Sequence, residues 1–133
     1  MFQLIYVSDF AMALDENDLQ DILISARAIN SEQGISGKLI TVSRHFFQVI
    51  EGDEAKVNQL YAKIKQDTRH ENVRLVMTKS TGVREFGDWS MGFSSLLESQ
   101  QAQDAAFILS DFAKRESFSP EHHSGIGLLL KQV

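Results

Sequence analysis

Only two residues, Ser43 and Arg44, stand between the strand-like runs 37–42 and 45–50. That gap leaves no room for a crossover, so the two runs turn back on each other as an antiparallel hairpin. The hairpin lies between two helical patterns. The first opens at Asp15, a good N-cap, and carries Leu19, Ile22, Leu23, Ala26 and Ile29 at the spacing of one buried face, with Gly34 as its stop. The second follows Glu51 and Gly52, carries Val57, Leu60, Tyr61 and Ile64, and ends within residues 67–70. Residues 2–8 alternate as a strand, with Leu4, Tyr6 and Ser8 on one face and Ile5 and Val7 on the other. Residues 73–78 and 83–93 read as two more strands separated by turn residues. The element order is βαββαββ, an α+β pattern.

After Phe93 the texture changes to a polar, Gln-rich stretch, followed by a new helical stripe through Ala105, Ala106, Ile108, Leu109 and Phe112. Ser119 and Pro120 form a cap and first-position pair for a last helix, which Gly125 and Gly127 weaken. These tail residues are too apolar for a solvated arm, so they are expected to dock on the sheet face opposite the first two helices. The division expected is a core over residues 1–95 and a helical extension over 96–133.

A chain of 133 residues, 43% of them hydrophobic, suits one domain with a real core. The absence of cysteine removes disulfides, thiolate metal sites and a cysteine nucleophile, which fits a reducing cytoplasmic setting. No segment has the length of a membrane span, and a net charge of −5 argues against a nucleic-acid surface. No HExxH, GxSxG, paired-carboxylate or phosphate-cradling motif is found. His122 and His123 are adjacent in the tail and are expected to face solvent, so no metal site is expected.

Three polar residues stand where apolar ones are expected. Gln48 interrupts Phe46, Phe47, Val49 and Ile50, and a buried carboxamide without partners costs about 1–3 kcal/mol. Asn30 lies eleven residues beyond Leu19, about three helical turns, and so shares the buried stripe. Tyr6 lies on the first strand, a central neighbour of the hairpin. Each alone has a plain reading, as a helix-end cap, a solvent-facing strand residue or a half-buried aromatic. Together they are three hydrogen-bonding groups able to converge.

The wider string changes the balance: Tyr6, then Asn30 with Gly34, Ile35, Ser36 and Gly37, then Phe46 to Gly52, then Asp67 to His70, then Phe86, Trp89 and Met91. From Phe2 to about Phe93 it resembles the BLUF family of flavin-binding blue-light sensors. The resemblance implies a ferredoxin-like sandwich of one mixed five-stranded sheet with two helices on one face and FAD bound non-covalently between them. It implies photochemical roles for Tyr6 as electron and proton donor, Gln48 as the rearranging amide, and Trp89 and Met91 as the relay pair. Asn30 would hold the flavin ring, and Lys63, Asp67, Arg69 and His70 would serve the rest of the cofactor. Ile29 replaces the His or Asn frequent in the family, and Ser36 the frequent Thr. The implied function is a photoreceptor, not an enzyme, that signals to a downstream partner protein and forms a homo-oligomer, with no direct role for nucleic acid or membrane. The alternative is a non-photoactive ferredoxin-like interaction module. RNA-recognition and acyl-phosphate-hydrolysing domains share this element order, but the spacing and charge of the chain disfavour them.

Overall fold

The computed structural model describes residues 1–87, 91–95 and 103–132. Its elements are β1 (Phe2–Phe10), α1 (Glu16–Gln33), β2 (Ser36–Val42), β3 (His45–Gly52), α2 (Glu54–Gln66), β4 (His70–Ser80), β5 (Gly92–Ser95), α3 (Gln103–Ala113) and α4 (Pro120–Gln132). The strands form one sheet in the order β4-β1-β3-β2-β5. Contacts of β1 with β3 and β4, and of β2 with β3, are antiparallel, whereas β5 runs parallel to β2. The sheet is therefore mixed and five-stranded, as the sequence led us to expect.

Local chemistry explains the boundaries. Asp15 accepts from the Asp18 N–H while the Asp18 side chain accepts from the Asp15 N–H, a reciprocal cap at the start of α1. Gly34 ends that helix at φ 68°, a left-handed conformation that glycine adopts without a Cβ penalty. Gly37 is required for a different reason: a Cβ there would lie 2.0 Å from the Val49 carbonyl oxygen across the hairpin. The helix α2 stops at Gln66, so Asp67 is its cap and His70 already belongs to β4 rather than to a helix end.

Alternation along the strands builds two cores. Leu4, Tyr6, Leu39, Phe46 and Ile50 face Ile22 and Leu23 of α1 and Val57 of α2. Ile5, Val7, Ile40, Phe47 and Val49 face Leu109 and Ala113 of α3 and Ile126 and Leu130 of α4. The C-terminal helices thus cover the face opposite α1 and α2. Pro120 does open α4, which continues through Gly125 and Gly127. The boundary expected near residue 96 lies outside the described residues.

Two strand expectations need correction. The run 83–93 is not one strand: Val83–Gly87 forms a turn region and β5 begins only at Gly92. The cause is that the Glu85 and Phe86 amides bond the Glu51 carboxylate instead of a neighbouring strand. Met91 therefore precedes β5, and Trp89, expected on the same strand face, lies outside the described residues. Within the tail, His122 and His123 are partly buried rather than solvent-facing, and the His122 Nδ1 accepts from the Ser119 N–H at 3.1 Å at the start of α4. Among the described residues no helix is long and apolar enough to cross a membrane, and no cluster of three metal-ligating side chains occurs.

Candidate functional site

Register brings the first pair together. Tyr6 on β1 lies directly opposite Gln48 on β3, and both side chains point to the α1/α2 face. The Tyr6 hydroxyl donates to Gln48 Oε1, and Gln48 Nε2 donates to the Met91 thioether at 3.4 Å. The amide is thus held at both ends, by a phenol and by a weak sulfur acceptor. Tyr6 is fully buried, and burial pushes its pKa well above the ordinary phenol range, with Tyr61 and Asp67 acting in the same direction. Its ring packs against Tyr61 with centroids 5.6 Å apart. A buried, neutral, hydrogen-bonded phenol is the form that can surrender an electron and a proton together.

Gln48 forms part of the floor of a cleft of about 120 Å³ between α1 and α2. Asn30, fully buried on α1, lies beside it. Ile22, Ala26, Leu60 and Ile64 supply apolar walls, and Lys63, Asp67 and Arg69 stand at one end. Asp67 is fixed by Arg69, whose Nη2 donates to it at 2.6 Å and whose Nε donates at 3.0 Å, and these bonds hold the Asp67 carboxyl below its usual range. Ile29 lines the rim and is 39% exposed, so it does not complete the buried stripe as its spacing suggested. Larger hollows of about 610 and 310 Å³ exist, one at the Gly34 and Gly52 end of the sheet and one under α4. Neither contains the Tyr6–Gln48 pair, and chemistry rather than size identifies the site.

The structure thus gathers Asn30, Gln48, Lys63, Asp67 and Arg69 at one cleft, with Tyr6 and Met91 in contact with its amide. His70 is elsewhere. Its Nδ1 bonds Ser8 Oγ at 2.8 Å, its ring packs on Phe46 at 4.5 Å, and burial pushes its pKa down to about 4. Sequence reasoning missed Arg27, which donates from Nε to the Met91 carbonyl at 3.0 Å. An exposed-looking Arg on a helix carries no signal of a partner sixty-four residues away.

Two helices over one face of a mixed sheet, with a tyrosine–amide pair beneath the cleft between them, define an α+β module of ferredoxin-like build. Residues 1–92 match the family of sensors of blue-light using FAD, and the chain belongs to this BLUF family. It is 37% identical over 65% of its length to the photoactivated adenylate cyclase subunit alpha of Euglena gracilis, of which it spans 8%. A bacterial light-regulated adenylyl cyclase matches at TM-score 0.81 and 29% identity, over 85% of this chain and 34% of that one. The dark-state structure of BlrB, a BLUF protein, matches at TM-score 0.81 and 27% identity, over 98% of this chain and 95% of that one.

FAD is the cofactor of this family, and the residues present fit it. Apolar walls suit a flat ring, the amides of Asn30 and Gln48 suit its polar edge, and Lys63 and Arg69 suit a phosphate-bearing tail.

Proposed function

We propose that this chain is a blue-light switch in which Tyr6 is the electron and proton donor and the Gln48 side chain is the moving part. The observation that carries the reading is the Tyr6 O–H to Gln48 Oε1 hydrogen bond at the floor of the α1/α2 cleft. Bound FAD supplies blue-light absorption and an excited-state electron acceptor. Tyr6 would give one electron and, with Gln48 as relay, its phenolic proton to that acceptor, and would recover both once the amide has rearranged, so no net charge is left on either residue. The amide then turns or tautomerises, which exchanges donor and acceptor at both of its ends without adding charge. Asn30 and the apolar walls hold the ring in place and exclude water, while Lys63 and Arg69 pair with anionic groups at the cleft end. The Gln48–Met91 contact is broken or remade by the same turn, which carries the change to the segment before β5.

No substrate is turned over by this unit. It acts as a sensor that passes its state to a partner protein, as the names of its relatives suggest: two are cyclases, and a third, 32% identical over 55% of this chain, is a blue light- and temperature-regulated antirepressor of Escherichia coli. Exposed Phe107 and Ile108 on α3 and Leu128 on α4 offer apolar contacts for that partner or for a second copy of the chain.

The test is an absorption spectrum of FAD-loaded protein in the dark and after blue light. Wild type is expected to show a reversible red shift, and Gln48→Leu and Tyr6→Phe are expected to bind FAD and lose it. A Gln48→Leu protein that still forms the red-shifted state would overturn the assignment. Colourless protein that takes up no added FAD would favour the interaction module instead.

A further inference from the structure

Glu51, three residues beyond Gln48 on β3, has no part in the switch described so far. It is fully buried, yet among the described residues none of its carboxylate partners is a cation. Its oxygens accept from Phe86 N–H at 2.6 Å, Glu85 N–H at 3.2 Å, Gln3 Nε2 at 3.1 Å and Ser36 Oγ at 3.4 Å. Positive charge stands one bond further out, where Arg84 Nη1 donates to Ser36 Oγ at 2.8 Å and to the Glu51 carbonyl at 3.3 Å. A buried carboxylate is costly unless several donors satisfy it, and two of these donors are consecutive main-chain amides of one loop. The loop is therefore fixed to β3 by the carboxylate.

What that loop leads to gives the clamp a purpose. Glu51 and Phe86 lie on the α3/α4 side of the sheet, whereas Met91, five residues after Phe86, belongs to the α1/α2 core and touches Gln48. One short stretch of chain is thus held on one face by Glu51 and meets the switch on the other. The same loop also holds the last helix. Glu85 Oε2 pairs with Lys131 Nζ at 3.0 Å and lies 3.3 Å from Gln3 Nε2, which itself reaches Glu51.

We propose that Glu51 is a positioning residue for the Gln48 switch: its clamp on the loop sets Met91 against the Gln48 amide and, through Glu85 and Lys131, ties α4 to the same loop. The proposal rests on the reading of Gln48 as the moving part. Its consequence is that Met91 and α4 both depend on the same Glu51 and Glu85 contacts.

The experiment follows dark recovery of the red-shifted state in FAD-loaded wild type, Glu51→Gln, Met91→Ala and the double variant. Losing a weak hydrogen bond made in the dark arrangement should slow recovery about 2- to 10-fold in each single variant. Because both act through Met91, the double variant should be no slower than the slower single one. Lys131→Gln should leave recovery within about twofold while diminishing the light-dependent difference in amide exchange along α4. Recovery of Glu51→Gln at the wild-type rate, or effects that multiply in the double variant, would overturn the proposal. If Glu51→Gln does not fold, exposed Arg84→Gln loosens the same clamp and is read in the same way. A wild type without any red shift would sink the reading of Gln48 instead. The clamp is then judged by the Met91 methyl resonance of the dark protein, which Glu51→Gln should shift and which, unchanged, overturns it.

Discussion

The two faces of the sheet are built from the same strands, one residue out of step, and they carry different burdens. The α1/α2 face buries polar groups among its apolar ones: Tyr6, Gln48 and Asn30 interrupt what would otherwise be a continuous core. Behind the strand centres, the α3/α4 face is mostly aliphatic and aromatic, apart from buried Lys38 opposite Val49 and polar groups at its margins. At one margin Asp9 meets His45 at 2.7 Å and Arg74 at 3.3 Å, and Arg74 reaches the Ala113 carbonyl at 2.7 Å. At the other stands Glu51 with its donors. Placing the Tyr6–Gln48 pair on one face keeps the rearrangement we propose for the amide away from the residues that pack the opposite face. Phe47 and Gln48 are adjacent in sequence and represent the two burdens.

Substitution at this adjacent pair should separate the functions most sharply. Phe47→Ala leaves a cavity among the α3/α4 contacts and should lower unfolding free energy by about 3–5 kcal/mol, while folded protein keeps its red shift. Gln48→Leu should do the reverse, losing the red shift with little loss of stability in a denaturant titration. A Phe47→Ala protein that folds but no longer switches would break the comparison, because it would make the dry face part of the photochemistry.

A smaller effect is expected from His70, a partly buried neutral group that opens β4 beside Tyr6 and Phe46. Its folded pKa is about 4 against an ordinary 6.5, so the unfolded chain takes up a proton first as the pH falls. Stability should therefore be flat above about pH 7 and decline by roughly 2–3 kcal/mol between pH 6.5 and 4. His70→Gln should flatten that window in thermal melts at a series of pH values. If the decline persists in the variant, His70 is not the titrating group. The smallest effect belongs to Asp15→Ala, which removes the cap of α1 and should cost about 1 kcal/mol by chemical denaturation without altering dark recovery.

Much of this arrangement was legible in advance where a local rule governs it. The Ser43–Arg44 gap gave the hairpin, Asp15 and Gly34 bounded α1 within a residue, and the eleven-residue spacing from Leu19 turned Asn30 inward. Other features depended on partners far away in the chain. The run 83–93 looked like a strand because its apolar content is high, but the Glu51 carboxylate captures two of its amides, and no spacing rule reports an attraction across thirty-five residues. His70 was expected within the end of the second helix, yet it opens β4, where it meets Ser8 and Phe46. Arg27 offered no signal at all until Met91 was placed beside it.

What the sequence alone determined was periodicity and its exceptions: which residues share a face, where helices start and stop, and that Tyr6, Asn30 and Gln48 are polar at buried positions. Those follow from backbone geometry over a few residues. Which of these polar groups meet was decided only by the tertiary structure, since a hydrogen bond forms at about 3 Å and requires strand register, helix placement and loop path to agree. The pairing of β1 with β3 set Tyr6 against Gln48, and the placement of Met91 brought its thioether to the other end of the same amide.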